Sequence, residues 1–516
     1  MKQARLADTP IGKTFFQRTT STLLALLLLV GGTACGTPPT TDPDDTSAAP
    51  VDTTAPAAET TAAPETTKYL DDLPDDIDLQ QETIRIISRA QFRYCNEFAT
   101  GEITGETINH ALYKRNVMVE HRLNCKIQTD VIDSGNHGPV MDGIEPQLLS
   151  GTCEYDIIAG SMYLSMIHAS NGYYLDLMEF SDIIDIEKPY WSRKFIEQAK
   201  INNKLFTLTG DAALTTRQSV FMTVFNKELV KSYQMENPYE LVRSGKWTID
   251  KQIEMTTDIY QDLNNNGKQD SEDMYGYSIS NRVGVDVWMS ALDLKMVDRD
   301  VDGKITMVLN KDKYFTAYDK VYKLYYGNGG TYPYPTHGSD DEMYDIMDIF
   351  ANGQVIFAAN WLRGLEQASV RNMKDAFGVL PNPKYDEAQP DYYSFIHDQL
   401  TVLSIPFTVS DDRAENIVAP FLEAMASESR ETLIPQYYEV ALKVKLIDAP
   451  DDAEMLDIIS EGICVDFVWM CQGSDGYLKT LLREGIKRGT PNIASNLAAK
   501  LKLAEKSLEK FTAKFD

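Results

Sequence analysis

Residues 262–273 (DLNNNGKQDSED) form an oxygen-rich loop with the spacing of an EF-type calcium loop. A hard cation needs many oxygens converging from a tight turn, and Gly267 at position 6 of the loop permits that turn. The expected ligands are side-chain oxygens and one backbone carbonyl: Asp262, Asn264, Asn266, the carbonyl of Lys268, Asp270 and Asp273. The loop therefore predicts a structural calcium ion, with a metal-free polar surface turn as the alternative.

Residues 298–304 (DRDVDGK) begin like a second loop of this kind. Its position 12 falls on Leu309, whose side chain has no oxygen to offer a cation. Residues 304–309 read as a strand, so this segment predicts the turn of a β-hairpin rather than a metal site.

A second kind of candidate site follows an apolar strand. The early part of the chain alternates strand-like and helical segments: strands at 83–88, 126–131 and 155–160, and a helix at about 105–123. This alternation predicts βαβ units and a mostly parallel sheet. Since ligands bind beyond the carboxyl ends of strands in open α/β sheets, Ser161, Met162 and Tyr163 become candidates.

The rest of the chain continues the α/β pattern. Further segments are predicted as strands or extended chain: 204–209, 219–225, 277–280, 354–359, 377–381 and 400–406. Asn226 and Thr248 are predicted to begin helices, because their side chains can cap a helix N-terminus. The C-terminal part reads as helical and ends in an amphipathic stretch at 493–515.

Charge and hydropathy exclude several classes of protein. The chain has 516 residues, with 77 acidic against 49 basic side chains and a formal net charge of −28. Such a chain is repelled by phosphate backbones and by anionic membrane surfaces, so we expect no nucleic-acid partner. The only stretch apolar enough to meet a bilayer lies at the N-terminus, which excludes a multi-span transporter.

The N-terminal segment reads as an export signal. Residues 1–34 combine four basic side chains, the short apolar run 23–30 (LLALLLLV) and small residues before Cys35. A Cys at that place resembles the bacterial lipobox, in which it is acylated, although Gly32 stands where an aliphatic residue is usual. The Thr-, Pro- and Ala-rich segment 35–68 is then a disordered tether. We expect an exported protein whose only membrane contact is this lipid anchor.

Cysteine and catalytic motifs are less informative. A Cys464–Cys471 or a Cys125–Cys153 disulfide is compatible with the sequence, as are buried thiols at all of these positions and at Cys95. The sequence contains no GxSxG, GxxxxGK[ST], HExxH or GxGxxG motif, and its six histidines lack metal-ligand spacing. We therefore expect a binding protein rather than an enzyme.

Several short motifs, taken in order, resemble the extracellular solute-binding proteins of family 1, the maltose-binding-protein type of the ABC importers. The resemblance covers about residues 80–480 and rests on these segments: 155–158 (YDII), 172–177 (GYYLDL), 203–206 (NKLF), 224–227 (VFNK), 237–248 (NPYELVRSGKWT), 350–361 (FANGQVIFAANW), 378–383 (GVLPNP) and 435–438 (PQYY).

The resemblance implies an α/β, two-lobed Venus-flytrap fold that closes on its ligand by a hinge motion. It implies that lobe 1 contains 69–220 and 381–445, and that lobe 2 contains 221–380 and the C-terminal helices of 446–516. It also implies a monomer that captures an extracellular sugar or oligosaccharide and delivers it to the ABC permease subunits in the membrane.

Trp361, after Asn360, resembles the tryptophan on which that family stacks a sugar ring, with a core or rim tryptophan as the alternative. The remaining candidates for ligand binding are polar or aromatic residues near strand ends and lobe crossings: Ser161, Tyr163, Asp211, Arg217, Gln218, Trp288 and Asp398. The spacing of Trp288 is equally that of a helical core residue. The alternative functions are a surface binding or sensor protein without transport, and a secreted carbohydrate-active enzyme whose paired carboxylates meet across a cleft.

Overall fold

The structure is a computed structural model that describes residues 69–90, 97–98, 107–133, 138–336, 341–442, 450–471 and 478–515. The expected signal segment 1–34, Cys35, the tether 35–68 and Cys95 lie outside these residues. Among the described helices, none combines the length and the apolarity needed to cross a membrane.

Twelve strands occur in the described residues, and we number them in chain order. They are β1 Thr83–Ala90, β2 Lys126–Asp133, β3 Ile157–Ser161, β4 Phe221–Asn226, β5 Tyr260–Gln261, β6 Met274–Ser280, β7 Val297–Arg299, β8 Ile305–Met307, β9 Thr331–Tyr334, β10 Val355–Trp361, β11 Phe377–Leu380 and β12 Thr401–Ser404.

The α-helices of the same residues are α1 Thr107–Leu123, α2 Gly138–Leu149, α3 Met162–Ser170, α4 Arg193–Ala199, α5 Thr215–Gln218, α6 Lys227–Ser232, α7 Pro238–Arg243, α8 Ile249–Thr256, α9 Val287–Ala291, α10 Lys311–Tyr322, α11 Glu342–Ala351, α12 Ala368–Arg371, α13 Asp411–Arg413, α14 Ala419–Glu428, α15 Ile434–Leu442, α16 Pro450–Glu461, α17 Phe467–Met470, α18 Leu481–Lys487 and α19 Ala494–Thr512. Short 3₁₀ segments lie at Leu177–Phe180, Val283–Asp286 and Leu362–Glu366, and π-helical turns at Lys323–Gly327, Ala414–Val418 and Ser429–Leu433.

The first sheet, which defines lobe 1, has the order β12-β3-β1-β2. β1 pairs in parallel with both β2 and β3, because α1 and α2 carry the chain back over the sheet between these strands. β12 joins antiparallel to β3, with Thr401 opposite Ser161. Every residue of β3 is buried, and a Cβ at Gly160 would lie 2.8 Å from the Ser165 hydroxyl, so glycine lets α3 pack closely against the strand.

The second sheet, which defines lobe 2, has the order β11-β4-β10-β6-β5, with β9 pairing in parallel with β6. β4 runs antiparallel to both β10 and β11. The sheet is thus mixed, where the sequence predicted a mostly parallel one. The chain enters lobe 2 through β4 and leaves it through β10, and both crossings lie at the same edge of the lobe. β10 therefore ends beside the start of β4, with Trp361 opposite Phe221, and the two strands run antiparallel.

Three segments run side by side where the chain passes between the two sheets. The Leu362 amide donates to the Val220 carbonyl (2.8 Å), and the Phe221 amide donates to the Phe395 carbonyl (2.8 Å). The His397 amide donates to the Ser219 carbonyl at 3.0 Å. These hydrogen bonds hold the crossing segments together as a ribbon, which places the residues that follow β10 beside those that precede β4.

The C-terminal helices are shared between the lobes. α14 and α15 pack on α1 of lobe 1, whereas α16 packs on β11 and α18 on α10, both in lobe 2. α17 packs on α3 and α4 of lobe 1, although residues 446–516 were expected on lobe 2. All four residues of α17 are buried apolar side chains. Because they point to different sides of this short helix, α17 must be covered by apolar surface on more than one side.

Candidate functional site

Trp361 ends β10 beside the crossing ribbon and is only 2% exposed. Its indole ring contacts the rings of Phe221, Tyr344 and His397, with centroid separations of 6.1, 6.0 and 5.5 Å. The Arg363 guanidinium carbon lies 5.8 Å from the indole centroid, within range of a cation–π contact. The indole Nε1 is buried and has no hydrogen-bond partner among the described residues.

Residues of lobe 1 lie next to Trp361. His397 is followed by Asp398, whose carboxylate is 3.4 Å from His397 Nδ1 and whose carbonyl accepts the Tyr163 amide at 3.1 Å. Ser161 ends β3, and its buried hydroxyl has no partner in the described part of the chain. We call Ser161, Tyr163, Trp361, His397 and Asp398 the interlobe cluster. It lies at the carboxyl ends of β3 and β10, where an α/β sheet places its ligands.

Lys479 adds a cation from the C-terminal region to this cluster. Its ammonium lies 5.9 Å from the Tyr163 ring and 5.5 Å from the Trp469 ring. The Trp469 Nε1 is buried without a hydrogen-bond partner among the described residues, like that of Trp361. Arg483 also faces Trp469, and its guanidinium is paired with the buried carboxylate of Asp286 (Nε to Oδ1, 2.8 Å). Burial raises the pKa of Asp286, and the Arg483 charge opposes that rise.

Gln218 connects the two lobes behind the cluster. Its amide donates to the Glu366 carboxylate (3.0 Å) and accepts from the Arg363 guanidinium (3.2 Å). Burial raises the pKa of Glu366, while the charge of Arg363 opposes the rise. Gln218 thus ties α5 to the segment after β10 and holds Arg363 near Trp361.

Asp211 and Arg217 form a buried ion pair that lies apart from the cluster. Arg217 donates from Nε (2.9 Å) and Nη2 (2.5 Å) to Asp211 Oδ1, and Arg430 approaches Asp211 Oδ2 at 3.3 Å. Both arginines line a cavity of about 670 Å³. Its other walls come from residues 187–194 and 434–438 of lobe 1 and residues 457–463 beside lobe 2. No residue of the interlobe cluster lines this cavity.

Two further candidates, Asn360 and Trp288, are buried inside the protein. Asn360 is fully buried; its amide nitrogen donates to the Met343 carbonyl (2.6 Å), and its oxygen accepts the Trp361 amide (3.0 Å). Trp288 is fully buried in α9. The structure therefore links Tyr163 to Asp398 by a backbone hydrogen bond and Trp361 to the adjacent His397 by ring contact, with Ser161 two residues before Tyr163.

Sequence reasoning missed Tyr344, Arg363, Lys479 and Arg483. Arg363 follows β10 by two residues, so the rule for strand ends could have found it, whereas Tyr344 and Arg483 are spaced like ordinary helix residues. Lys479 lies in the turn just before α18 and Arg483 lies in the first turn of that helix, so no local pattern marks either as a site residue.

The loop 262–273 is closed by its own hydrogen bonds. Asp262 Oδ2 accepts the Gly267 amide (2.9 Å), Asn264 and Asn266 form similar short turns, and Asp273 Oδ1 accepts the Leu263 amide (3.1 Å). The Asn266 amide group donates to Asp270 (2.7 Å). In the described ranges, no three His, Cys, Asp or Glu side chains converge as a metal site. Calcium at this loop stays a prediction.

The second loop forms the predicted β-hairpin, with β7 and β8 antiparallel and Arg299 opposite Ile305. Cys125, Cys153, Cys464 and Cys471 are free thiols, so neither of the two compatible disulfides is formed.

The fold can be compared with solved structures. A sugar transporter protein from Rhizobium etli, in an open conformation, is 14% identical to this chain and gives a TM-score of 0.52 over 83% of this chain and 99% of its own. The chain has the solute-binding-protein fold. The fold class implied by the sequence motifs is therefore confirmed.

Two other solved structures give TM-scores just below that value. An ABC substrate-binding protein from Listeria monocytogenes in complex with cycloalternan is 13% identical, with a TM-score of 0.49 over 84% of this chain and 99% of its own. Maltose-bound MalE3 of T. maritima is 14% identical, with a TM-score of 0.48 over 83% and 99%. No family model matches the sequence, and no curated protein matches it.

Proposed function

We propose that this protein is the substrate-binding component of an ABC importer and that it captures an extracellular sugar or polyol between its lobes. The observation that carries the proposal is a set of buried donors with no partner in the described residues: the indole Nε1 of Trp361 and Trp469 and the hydroxyl of Ser161. Buried polar groups in native proteins are nearly always hydrogen-bonded, so a ligand held in the interlobe cluster would supply the partner that these donors lack among the described residues.

The surroundings of these donors suit a carbohydrate. A sugar offers flat C–H faces to aromatic rings and hydroxyl oxygens to donors. Trp361, Tyr163 and Trp469 supply rings, and each has a cationic side chain near its face or edge. Because the rings of both lobes are in contact, the lobes must separate to admit a ligand and close again around it. The R. etli protein with this fold is described as a sugar transporter, which supports the same solute class here.

Ligand binding is tested by a thermal-shift screen of the full chain against mono- and oligosaccharides, polyols and amino acids, followed by calorimetric titration. A ligand at 100 times its Kd should add roughly 2.7 kcal/mol to the free energy of unfolding. Stabilisation by amino acids alone would contradict a carbohydrate ligand. Recovery of cleaved oligosaccharide after incubation would contradict a binding protein without catalysis.

Ser161→Ala locates the site within the molecule, with Ser404→Ala as the matched control. Both hydroxyls are buried and without a partner in the described residues, and both lie on paired strands of one sheet, but only Ser161 belongs to the interlobe cluster. Loss of a hydrogen bond to the sugar should weaken binding by roughly 2- to 10-fold in Ser161→Ala only. Equal affinities in the two variants would place the sugar elsewhere.

We propose attachment of the protein to the outer face of the cytoplasmic membrane through acylated Cys35, with 36–68 as the tether between this anchor and the folded part of the chain. The basic, apolar and small residues before Cys35 support this. Cys35→Ala should leave uncleaved precursor or release the protein into the medium, measured by fractionation and mass spectrometry of the N-terminus. Normal processing of this variant would exclude the anchor.

We propose calcium at loop 262–273 as a structural ion. Support comes from the loop spacing and from Asp262 Oδ1, which is buried and without a hydrogen-bond partner in the described residues. EDTA should lower the melting temperature and calcium should restore it, and Asp262→Ala should abolish this response. Asp300→Ala in the β7–β8 turn is the matched control, because it alters a similar turn and should keep the response. No response in the unaltered protein would leave a polar turn.

A further inference from the structure

The β7–β8 hairpin leaves lobe 2 and contacts lobe 1. It follows α9, which is buried in lobe 2, and precedes α10, which packs on α8 of the same lobe. Arg299 at the end of β7 donates from Nε and Nη2 to the Lys200 carbonyl, at 3.1 and 2.9 Å, and from Nη1 to the Gln198 side-chain oxygen at 3.1 Å. Nη2 also donates to the Gln198 carbonyl. These acceptors lie at the C-terminus of α4, where the helix dipole favours a cation.

The turn of the hairpin makes a second contact with lobe 1. The side-chain amide nitrogen of Asn203 donates to the Asp302 carbonyl at 3.3 Å. Gly303 has a φ of +80°, and a Cβ there would lie 2.7 Å from the Asn203 side-chain oxygen. Only glycine allows both the conformation and this approach. The segment 298–304, whose spacing is similar to that of a calcium loop, thus forms a turn that contacts lobe 1.

The short helix α17 joins the hairpin to lobe 1. Asp466 Oδ1 caps the helix by accepting the Val468 amide (3.1 Å), while Oδ2 accepts the amides of Met296 (2.7 Å) and Val297 (3.2 Å). The Arg299 guanidinium also lies 5.6 Å from the Phe467 ring. Since α17 packs on α3 and α4, the base of the hairpin is tied to lobe 1 as well.

Helix α19 runs from lobe 2 to lobe 1. At its start, Ile493 lies against Gly485 of α18, where a Cβ would be 2.9 Å from the Ile493 side chain. Its 19 residues span about 28 Å. At its end, the Phe515 ring lies 5.4 Å from that of Phe206, and Lys514 Nζ is 3.3 Å from the Ser170 hydroxyl. Along its length, α19 packs on β8, and Phe511 contacts Phe467.

We propose that residues 297–307, α17 and α19 form a strap that links the two lobes outside the crossing ribbon and limits how far they open. In a hinged protein, contacts away from the hinge must break or bend when the lobes separate. The strap carries charge-assisted hydrogen bonds and apolar contacts at several points, so it biases the ligand-free protein toward the closed arrangement. This inference goes beyond the proposed function, because it depends on the fold and not on the ligand.

The test compares Arg299→Ala and Phe515→Ser with the unaltered full-length protein, all without ligand. Small-angle X-ray scattering measures the separation of the lobes, and hydrogen exchange measures opening at residues 198–203. Both variants should give a larger radius of gyration, and the amides of 198–203 should exchange about 10- to 100-fold faster. Arg488→Ala is the control, since that side chain is exposed and, among the described residues, forms its ion pair with Glu484 of the adjoining helix α18.

Unchanged scattering in both variants, with native near-ultraviolet circular dichroism, would overturn the proposal. Faster exchange confined to 198–203 without expansion would also overturn it, since the hairpin would then only cover lobe 1. If Arg299→Ala fails to fold, Phe515→Ser decides by the same two measurements, because Phe515 lies outside the strands and helices.

Discussion

Two regions between the lobes differ in their exposure to water: the interlobe cluster is packed and buried, whereas the other region surrounds a cavity. In the interlobe cluster, rings from both lobes touch and Trp361 is almost fully buried. In the cavity lined by Trp191 and Arg217, the walls stand apart around about 670 Å³, with cations on lobe 1 and the exposed carboxylates of Asp457 and Glu461 on α16. Burial of aromatic surface away from water is favourable. Burial of charged groups costs hydration energy that can exceed the attraction between the paired charges. A ligand therefore reaches the cluster only after opening, but reaches the cavity without it.

Removal of Trp361 should have the largest effect. Trp361→Ala leaves a hole among Phe221, Tyr344 and His397 and should lower the free energy of unfolding by about 3–5 kcal/mol, measured by urea denaturation. Trp361→Phe keeps part of the packing and should weaken sugar binding roughly 2- to 10-fold in calorimetric titration. Trp288→Phe is the control: it should cost stability without changing affinity. Full affinity in Trp361→Phe would assign Trp361 a packing role alone.

Arg217→Met breaks the ion pair at the floor of the cavity. Asp211 is completely buried, so loss of its closer guanidinium leaves a carboxylate with only the longer contact to Arg430. We expect a loss of about 3 kcal/mol of stability by urea denaturation, because an unpaired buried charge is costly. A loss of stability below about 1 kcal/mol would show that water enters the cavity and solvates the Asp211 carboxylate, despite its complete burial in the structure.

Glu423 makes the wall behind the cavity sensitive to pH. Its carboxylate is buried and accepts hydrogen bonds from Tyr190 and from Trp191 Nε1 (2.9 Å), and burial raises its pKa from 4.5 to about 7. A carboxyl with a raised pKa binds its proton more tightly in the folded protein, so its contribution is present below pH 4.5 and is lost as the pH rises through 7.

Between pH 5 and pH 8, the unaltered protein should therefore lose on the order of 2–3 kcal/mol relative to Glu423→Gln, measured by urea denaturation at each pH. Glu461→Gln at the exposed rim of the cavity should leave the pH profile unchanged. Parallel profiles for the unaltered protein and Glu423→Gln would mean that the carboxylate stays hydrated behind Trp191.

Arg430→Met should have the smallest effect. The Arg430 side chain is 37% exposed and its contact with Asp211 is 3.3 Å, so its loss should cost less than about 1 kcal/mol. Arg217 and Arg430 carry the same charge and contact the same carboxylate, but only Arg217 is buried. The difference in stability between the two variants therefore measures the effect of burial on the ion pair. Equal losses in the two variants would show that charge alone sets the energy of this region.

Much of the fold was predictable because its signals are local. The segments that became β1, β2 and β10 carry β-branched or apolar runs of strand length, and Asn226 and Thr248 do cap helices, accepting the amides of Glu228 and Lys251 among others. The segment 204–209 has the same apolar character but forms only isolated bridges, at Lys204 and Leu208. Strand propensity is realised only where a neighbouring strand offers its edge, and that is a tertiary condition.

The candidate site was predictable only in part. The rule for α/β sheets found Ser161, which ends a strand, whereas Trp361 was found through the family resemblance. Lys479 and Tyr344 were not predicted, because no motif near them in the sequence indicates ligand binding, and Arg363 was not predicted although it lies two residues after Trp361. The sequence by itself determined the segments that became β1, β2 and β10, the polar strand end at Ser161 and the turn at Gly303. Only the tertiary structure decided that residues 161, 361, 398 and 479 meet, because their contact depends on how two sheets far apart in the chain pack across the crossing ribbon.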